Sequence, residues 1–287
     1  MNFIKNTTLA AAIMTSLAVS TAFAQTVTIK SFVAQPEHFG VTSTLIENDK
    51  EVMLVNAQFS KSEALRLAAE ILDSGKTLNT IFISYGDPDY YFGLDVLKQY
   101  FPAAKILATP ETVQHIQQTQ TLKVNYWSPL MGANAPSKII VPEIYRAKTL
   151  KLGDQKIEIK GKNELTYLYI PDAQAVVGGI AVSSGIHLWM ADTPRTQDRQ
   201  AVLETLSSIQ ALHPKVVIPA HMAAHAPQDL AAVNFSINYI KDYEKAVQAS
   251  KTSADVIQIM QQQYPTLTEN SNLELGAKVV KGEMKWP

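Results

Sequence analysis

Residues Ile81–Leu94, "IFISYGDPDYYFGL", decide how this chain is read. Ile81, Phe82 and Ile83 form a short apolar β-branched and aromatic run, the pattern of a buried strand. Asp87-Pro88-Asp89 is a turn sequence, and a helix is expected from Leu94 to about Tyr100. The stretch thus predicts a strand that runs through an acid- and tyrosine-rich loop into a helix. Carboxylates gathered at a strand end suit metal binding or proton transfer. The loop contains no histidine, so the usual nitrogen donor for a transition metal is missing from it.

Working outward, "VTIKSFVAQ", "VTSTLIEND" and "KEVMLVNAQ" predict three strands, with a hairpin turn over Glu47–Glu51. "SKSEALRLAAEILDSG" predicts a helix, with a capping box over Ser60–Glu63, Gly75 as its C-terminal cap, and Leu65, Ala68, Ile71 and Leu72 on one apolar face. "AKILAT" predicts a strand, and Thr109-Pro110 open another helix. "YWSPLMGANAPSK", Tyr126–Lys138, is expected to be a loop, over a site, at a partner contact or as a packed connection. A second β-rich run follows: "KIEIKG", "LTYLYI", "QAVVGGIAV" and "IHLWMAD". Helices are then expected over "TQDRQAVLETLSSIQALHP", near Gln228–Ser250 and over Ser253–Tyr264, with "KVVIPAH" as a strand ending at His221. The order of elements fits two packed sheets with helices outside.

The bulk composition narrows the function. The 287 residues carry 25 basic and 26 acidic side chains, so no basic field invites nucleic acid or an anionic membrane. Residues 1–24 read as a removed signal peptide: Lys5, an apolar core over Leu9–Val19, and Ala22-Phe23-Ala24 before the cut. The remainder, 25–287, is expected to be one domain with a helical extension at its end, periplasmic or secreted, with no membrane span after the leader is removed. The chain has no Cys, which excludes thiolate ligands, a cysteine nucleophile and disulfides. The last stretch, "LELGAKVVKGEMKWP", is expected to dock on the body or on a second subunit. Oligomeric state is not encoded in any pattern of this sequence.

From Leu54 to Pro110 the chain resembles the metallo-β-lactamase superfamily, and the similarity extends over roughly residues 27–226. The resemblance implies an α/β fold of αββα type, two mixed sheets packed together and flanked by helices. It also implies a hydrolase-like site with two zinc ions, held by a His-x-His-x-Asp-His motif after a strand. Here Tyr85-Gly86-Asp87-Pro88-Asp89-Tyr90 stands in that place, followed by Phe92-Gly93. The family's closing Gly-His is matched by Ala220-His221. Where the family has its middle histidine, this chain has Lys162, Asn163 and Glu164. The bridging aspartate falls at Gly179 or Ile180, and an early-strand aspartate at Asn56. Only Asp89 and His221 carry over residue by residue. A protonated phenol is a poor zinc ligand, and tyrosine begins with a pKa of about 10.

Two rebuilt sites remain open. Asp87, Asp89, His187, Asp192 and His221 form a mixed oxygen and nitrogen set suited to a single Zn, Mn or Fe ion. Asp192 and Thr193 equally suit a helix cap, and His187 an ordinary strand position. Alternatively Tyr85, Tyr90 and Trp127, with Tyr91 and Trp189, line a pocket for a small molecule. The first implies an exported hydrolase that cleaves a small ester, lactone or amide, with Asp89 and His221 as its catalytic residues. The second also fits a catalytically inactive relative that binds a small molecule or a protein partner.

Overall fold

The computed structural model describes residues 27–286; the leader read at residues 1–24 lies outside the described residues. The first half runs β1 (Thr28–Val33), β2 (Thr42–Glu47), β3 (Glu51–Val55), α1 (Lys61–Asp73), β4 (Thr77–Ile83), α2 (Pro88–Tyr91), α3 (Leu94–Tyr100), β5 (Lys105–Ala108), α4 (Pro110–Met131) and β6 (Glu143–Ile144). Its sheet has the order β1-β2-β3-β4-β5-β6. The pairs β1–β2 and β2–β3 are antiparallel, and β3 to β6 pair in parallel. Asn48 closes the hairpin between β2 and β3: its side-chain oxygen accepts from the N–H groups of Lys50 and Glu51 at 2.8 and 2.7 Å.

The second half runs β7 (Thr149–Leu152), β8 (Gln155–Lys162), β9 (Leu165–Ile170), β10 (Ala175–Val177), β11 (Ser183–Ser184), α5 (Thr196–Gln210), β12 (Val216–Val217), β13 (His221–Met222), α6 (Leu230–Ala249), α7 (Ser253–Gln263) and α8 (Asn270–Val280). Its sheet has the order β12-β10-β9-β8-β7, and β11 pairs with β13 as a parallel ribbon that sets Ser183 opposite His221.

Strand alternation explains how the layers stack. In β4, Ile81 and Ile83 join the core under α1, α3 and α4, while Phe82 faces the other sheet. In β9, Leu168 meets Phe82 in that inter-sheet core, while Tyr167 turns to the helices of the second half. Phe82 is wholly buried, which stabilises the fold by about 2–3 kcal/mol. Both sheets are therefore covered on both faces, giving an αββα sandwich.

The structure corrects four local expectations. Helix α1 buries Ala64, Leu67, Ala68 and Ile71, whereas Leu65 and Leu72 are exposed. Ser60 caps α1 by accepting from the Glu63 N–H, but the Glu63 carboxylate turns to Arg66 and His38. The Tyr126–Lys138 segment is not a loop throughout. It stays helical to Met131, with Pro129 inside the last turns of α4, and a short 3₁₀ turn follows. "IHLWMAD" forms no strand: Ile186 makes one bridge, to Thr268, and the His187 N–H donates to the Thr268 carbonyl. No helix among the described residues is long and apolar enough to cross a membrane.

Candidate active site

The site begins where β4 ends. Ser84 donates from its N–H and its hydroxyl to the Asn56 side-chain oxygen at 3.0 and 2.8 Å, and its own hydroxyl oxygen accepts from the Gly179 N–H. The Thr166 hydroxyl donates to the Ser84 carbonyl at 2.9 Å. Strand ends from both sheets are thus tied to one residue. Two glycines let the loop close. A Cβ on Gly86 would meet the His115 ring at 2.6 Å, and one on Gly93 would meet the Ala57 carbonyl at 2.0 Å.

Asp87 stands at the N-cap position of α2 but makes no cap hydrogen bond, so its carboxylate is free to face the interior. Lys123, 4 % exposed, reaches in from α4 to 3.5 Å from Asp87 Oδ1 and 3.8 Å from Asp192 Oδ1. His115, two turns earlier on α4, lies 3.6 Å from Asp87 and 3.0 Å from Glu164. Burial alone would raise the Asp87 pKa, but His115 and Lys123 outweigh it and hold the carboxylate below its ordinary range. Burial likewise works against the Lys123 charge, and Asp87 and Asp192 reverse that, leaving its pKa raised. Hydrogen bonding to Asp87 and Glu164 lifts His115 to about 10. Asp192 accepts from the indole N–H of Trp189 at 2.5 Å and that of Trp286 at 2.8 Å. Burial, then the charge of Asp87, raises it to about 7.

His221 completes the opposite side. Its Nε2 lies 3.0 Å from Asp89 Oδ2 and 3.3 Å from the Tyr90 hydroxyl. Its Nδ1 faces the Phe39 carbonyl at 3.1 Å, an atom that can only accept, so Nδ1 carries a proton. Burial pushes the His221 pKa down, but the Asp89 carboxylate and the Phe39 carbonyl prevail and raise it. Burial, with the carboxylates beside them, keeps Tyr85 and Tyr90 far above the ordinary phenol range.

Between these groups lies a cavity of about 110 Å³, with Asp87, Asp89, Lys123, Asp192 and His221 among its polar lining. Tyr85 and Trp127 line it, with Trp189, Phe39 and Phe59. Tyr90 is wholly buried behind His221. His187 does not join the group. It is buried elsewhere, bonded through Nδ1 to the Tyr239 hydroxyl at 2.9 Å, and desolvation lowers its pKa. The reason is the missing strand, because the backbone around His187 is tied to Thr268 instead of to β13. Lys123, His115 and Trp286 are absent from the sequence-level site. His115 and Lys123 lie on one long helix entering beside the loop, but nothing in that helix's sequence marks Lys123 as buried.

No family model matches the chain, and no curated protein matches it in sequence. Solved structures do match its shape. A metallo-β-lactamase family protein from Thermus thermophilus superimposes with a TM-score of 0.62 at 13% identity, over 88% of this chain and 91% of that one. A β-lactamase domain protein from Burkholderia ambifaria gives 0.61 at 13% identity, over 88% and 84%. The chain has the metallo-β-lactamase fold. A metallo-β-lactamase from Pontibacter korlensis also matches at 13% identity, with a TM-score of 0.53 over 76% of this chain and all of that one.

The zinc pair implied by the metallo-β-lactamase fold does not fit the residues present. Tyr85 and Tyr90, which the sequence resemblance sets at two of the histidine positions, hold their protons. Asp89 is engaged by His221, and the Lys123 ammonium already lies against Asp87 and Asp192. Among the described residues, no three His, Asp or Glu side chains are placed to hold one metal ion. Of Asp87, Asp89, His187, Asp192 and His221, His187 stands apart on Tyr239, while the other four line the cavity.

Proposed function

We propose that the protein is an exported, hydrolase-like member of this fold that acts on a small molecule without a resident metal. The leader-like sequence at residues 1–24 supports export to the periplasm or outside the cell. The observation that carries the reading is the buried Lys123 ammonium between Asp87 and Asp192 in the cavity. It supplies a fixed positive charge where a carbonyl oxygen would become negative in ester or lactone cleavage. Asp89 takes the proton of an attacking water as its oxygen bonds to the carbonyl carbon. The bond from that carbon to the leaving oxygen then breaks, and the His221 imidazolium gives its Nε2 proton to the leaving oxygen. The ligand has an apolar body, matched to Phe39, Phe59 and Trp127.

A second reading, binding without turnover, has its own observation: both nitrogens of His221 are engaged in the resting site, and Trp286 lies among the cavity walls. One experiment separates the two. Chelator-treated protein is assayed against aryl esters, lactones and amides, beside His221→Ala. The hydrolase reading expects turnover of at least one ester or lactone, falling by about 10²–10⁴-fold in the variant. Ligand-induced changes in tryptophan emission with no turnover across the panel would establish the binding reading instead. All three tryptophans of the chain, Trp127, Trp189 and Trp286, line this cavity and report on it.

A further inference from the structure

Trp286 enters the cavity as a ligand would. Beyond α8 the backbone turns at Gly282, where φ is 73°. The Glu283 carboxylate then anchors the segment by accepting from the N–H and hydroxyl of Ser253, at the start of α7, at 2.8 and 2.5 Å. From that anchor, through residues in no helix or strand, the chain carries the Trp286 indole to the site. Its N–H donates to Asp192 Oδ1 at 2.8 Å, and its ring packs edge-on against Trp189 at 5.2 Å and Tyr126 at 5.3 Å. The Lys123 ammonium lies 5.1 Å from the ring centre, within cation–π range. A planar aromatic body, an N–H donor and a face offered to a cation are therefore all satisfied by one side chain. That side chain is tethered only through a short irregular segment and is itself only half-buried.

We propose that the Trp286 indole is an internal stand-in for the ligand: the cavity takes a planar aromatic molecule bearing an N–H donor, which replaces Trp286 between Trp189 and Lys123 and donates to Asp192. This deepens the reading of the cavity as the ligand site and is independent of turnover. A loss of hydrolysis with binding intact would count against the hydrolase reading alone. Trp286 then sets both the affinity and the choice of ligand, because any such molecule competes with it.

The test is the equilibrium binding of 5-fluoroindole to the full chain, followed by fluorine NMR, with 5-fluorobenzofuran as the counterpart lacking the N–H. Trp286→Ala is expected to bind 5-fluoroindole about tenfold or more tighter than the wild type, because the internal competitor is gone. It is also expected to prefer 5-fluoroindole over 5-fluorobenzofuran by about tenfold, the size of one charge-assisted hydrogen bond. Trp286→Phe, which keeps an aromatic ring without the donor, should fall between the wild type and the alanine variant. Asp192→Leu in the Trp286→Ala background should abolish the preference between the two probes. Equal affinity of wild type and Trp286→Ala for 5-fluoroindole would overturn the competition. Equal affinity for the two probes would overturn the role of the donor. Failure of both Trp286 variants to bind either probe would overturn the proposal outright.

Discussion

The two sides of the cavity were built differently. On one side, His221 and Asp89 stand where the fold's strand ends place them, paired at 3.0 Å and backed by Tyr90 and the Phe39 carbonyl. On the other, Asp87 and Asp192 are joined by Lys123 and His115 from α4 and by the indole of Trp286. The first pairs residues that the strand framework positions. The second gathers charges from a long helix, an irregular segment and the stretch beyond α8. The difference teaches that a site can keep its framework while exchanging the groups that balance its acids. In the proposed reading, side-chain cations balance these carboxylates in place of the metal ions that the resemblance implies.

That contrast can be broken at Lys123 first. Lys123→Met leaves Asp87 and Asp192 buried without their shared cation. The expected cost is about 3–5 kcal/mol, because one partner of a buried pair has been removed. Urea denaturation measures it, and a loss below about 1 kcal/mol would mean that the ammonium is not what balances the acids. The next effect is one of pH. The folded pKa of His115 is about 10, above the ordinary histidine value of about 6.5. The native state therefore binds more protons than the unfolded chain across that interval. The stabilisation from His115 is complete below about pH 6.5 and is lost as the pH rises toward 10. The melting temperature of the wild type should fall more steeply over that range than that of His115→Gln, and parallel curves would contradict the pairing. The smallest effect belongs to the other side. Tyr90→Phe removes one hydroxyl contact to His221 while keeping the ring, and should cost about 0.5–1.5 kcal/mol. A cost as large as that of Lys123→Met would make the two sides alike.

The framework was legible because it follows from pattern. The apolar run Ile81, Phe82 and Ile83, the Thr109-Pro110 helix start and the Ala220-His221 strand end each dictate local geometry. Asp87, Asp89, Asp192, His221, Tyr85 and Trp127 are found around one cavity because they sit at ends of that framework or, for Trp127, on α4. Lys123 was not legible. It lies in a helix rich in Gln and Thr, where the sequence marks no lysine as buried, and its partners are distant in the chain. His187 misled for the opposite reason. Its apolar neighbours suggest a strand beside His221, but tertiary contacts to Thr268 and Tyr239 claim that segment. Leu65 and Leu72 failed similarly, because two apolar faces were available on α1 and packing selected the one with Ala64 and Leu67.

The central claim is that side-chain cations have taken the place of metal ions. It is tested most directly by metal analysis of the purified full chain after dialysis against excess Zn²⁺, Mn²⁺ or Fe²⁺ and then against metal-free buffer. The account expects less than about 0.1 equivalent of any of the three to remain, since Lys123 and His221 already occupy the carboxylates. Retention of close to one or two equivalents, lost on Asp89→Ala or His221→Ala, would contradict it.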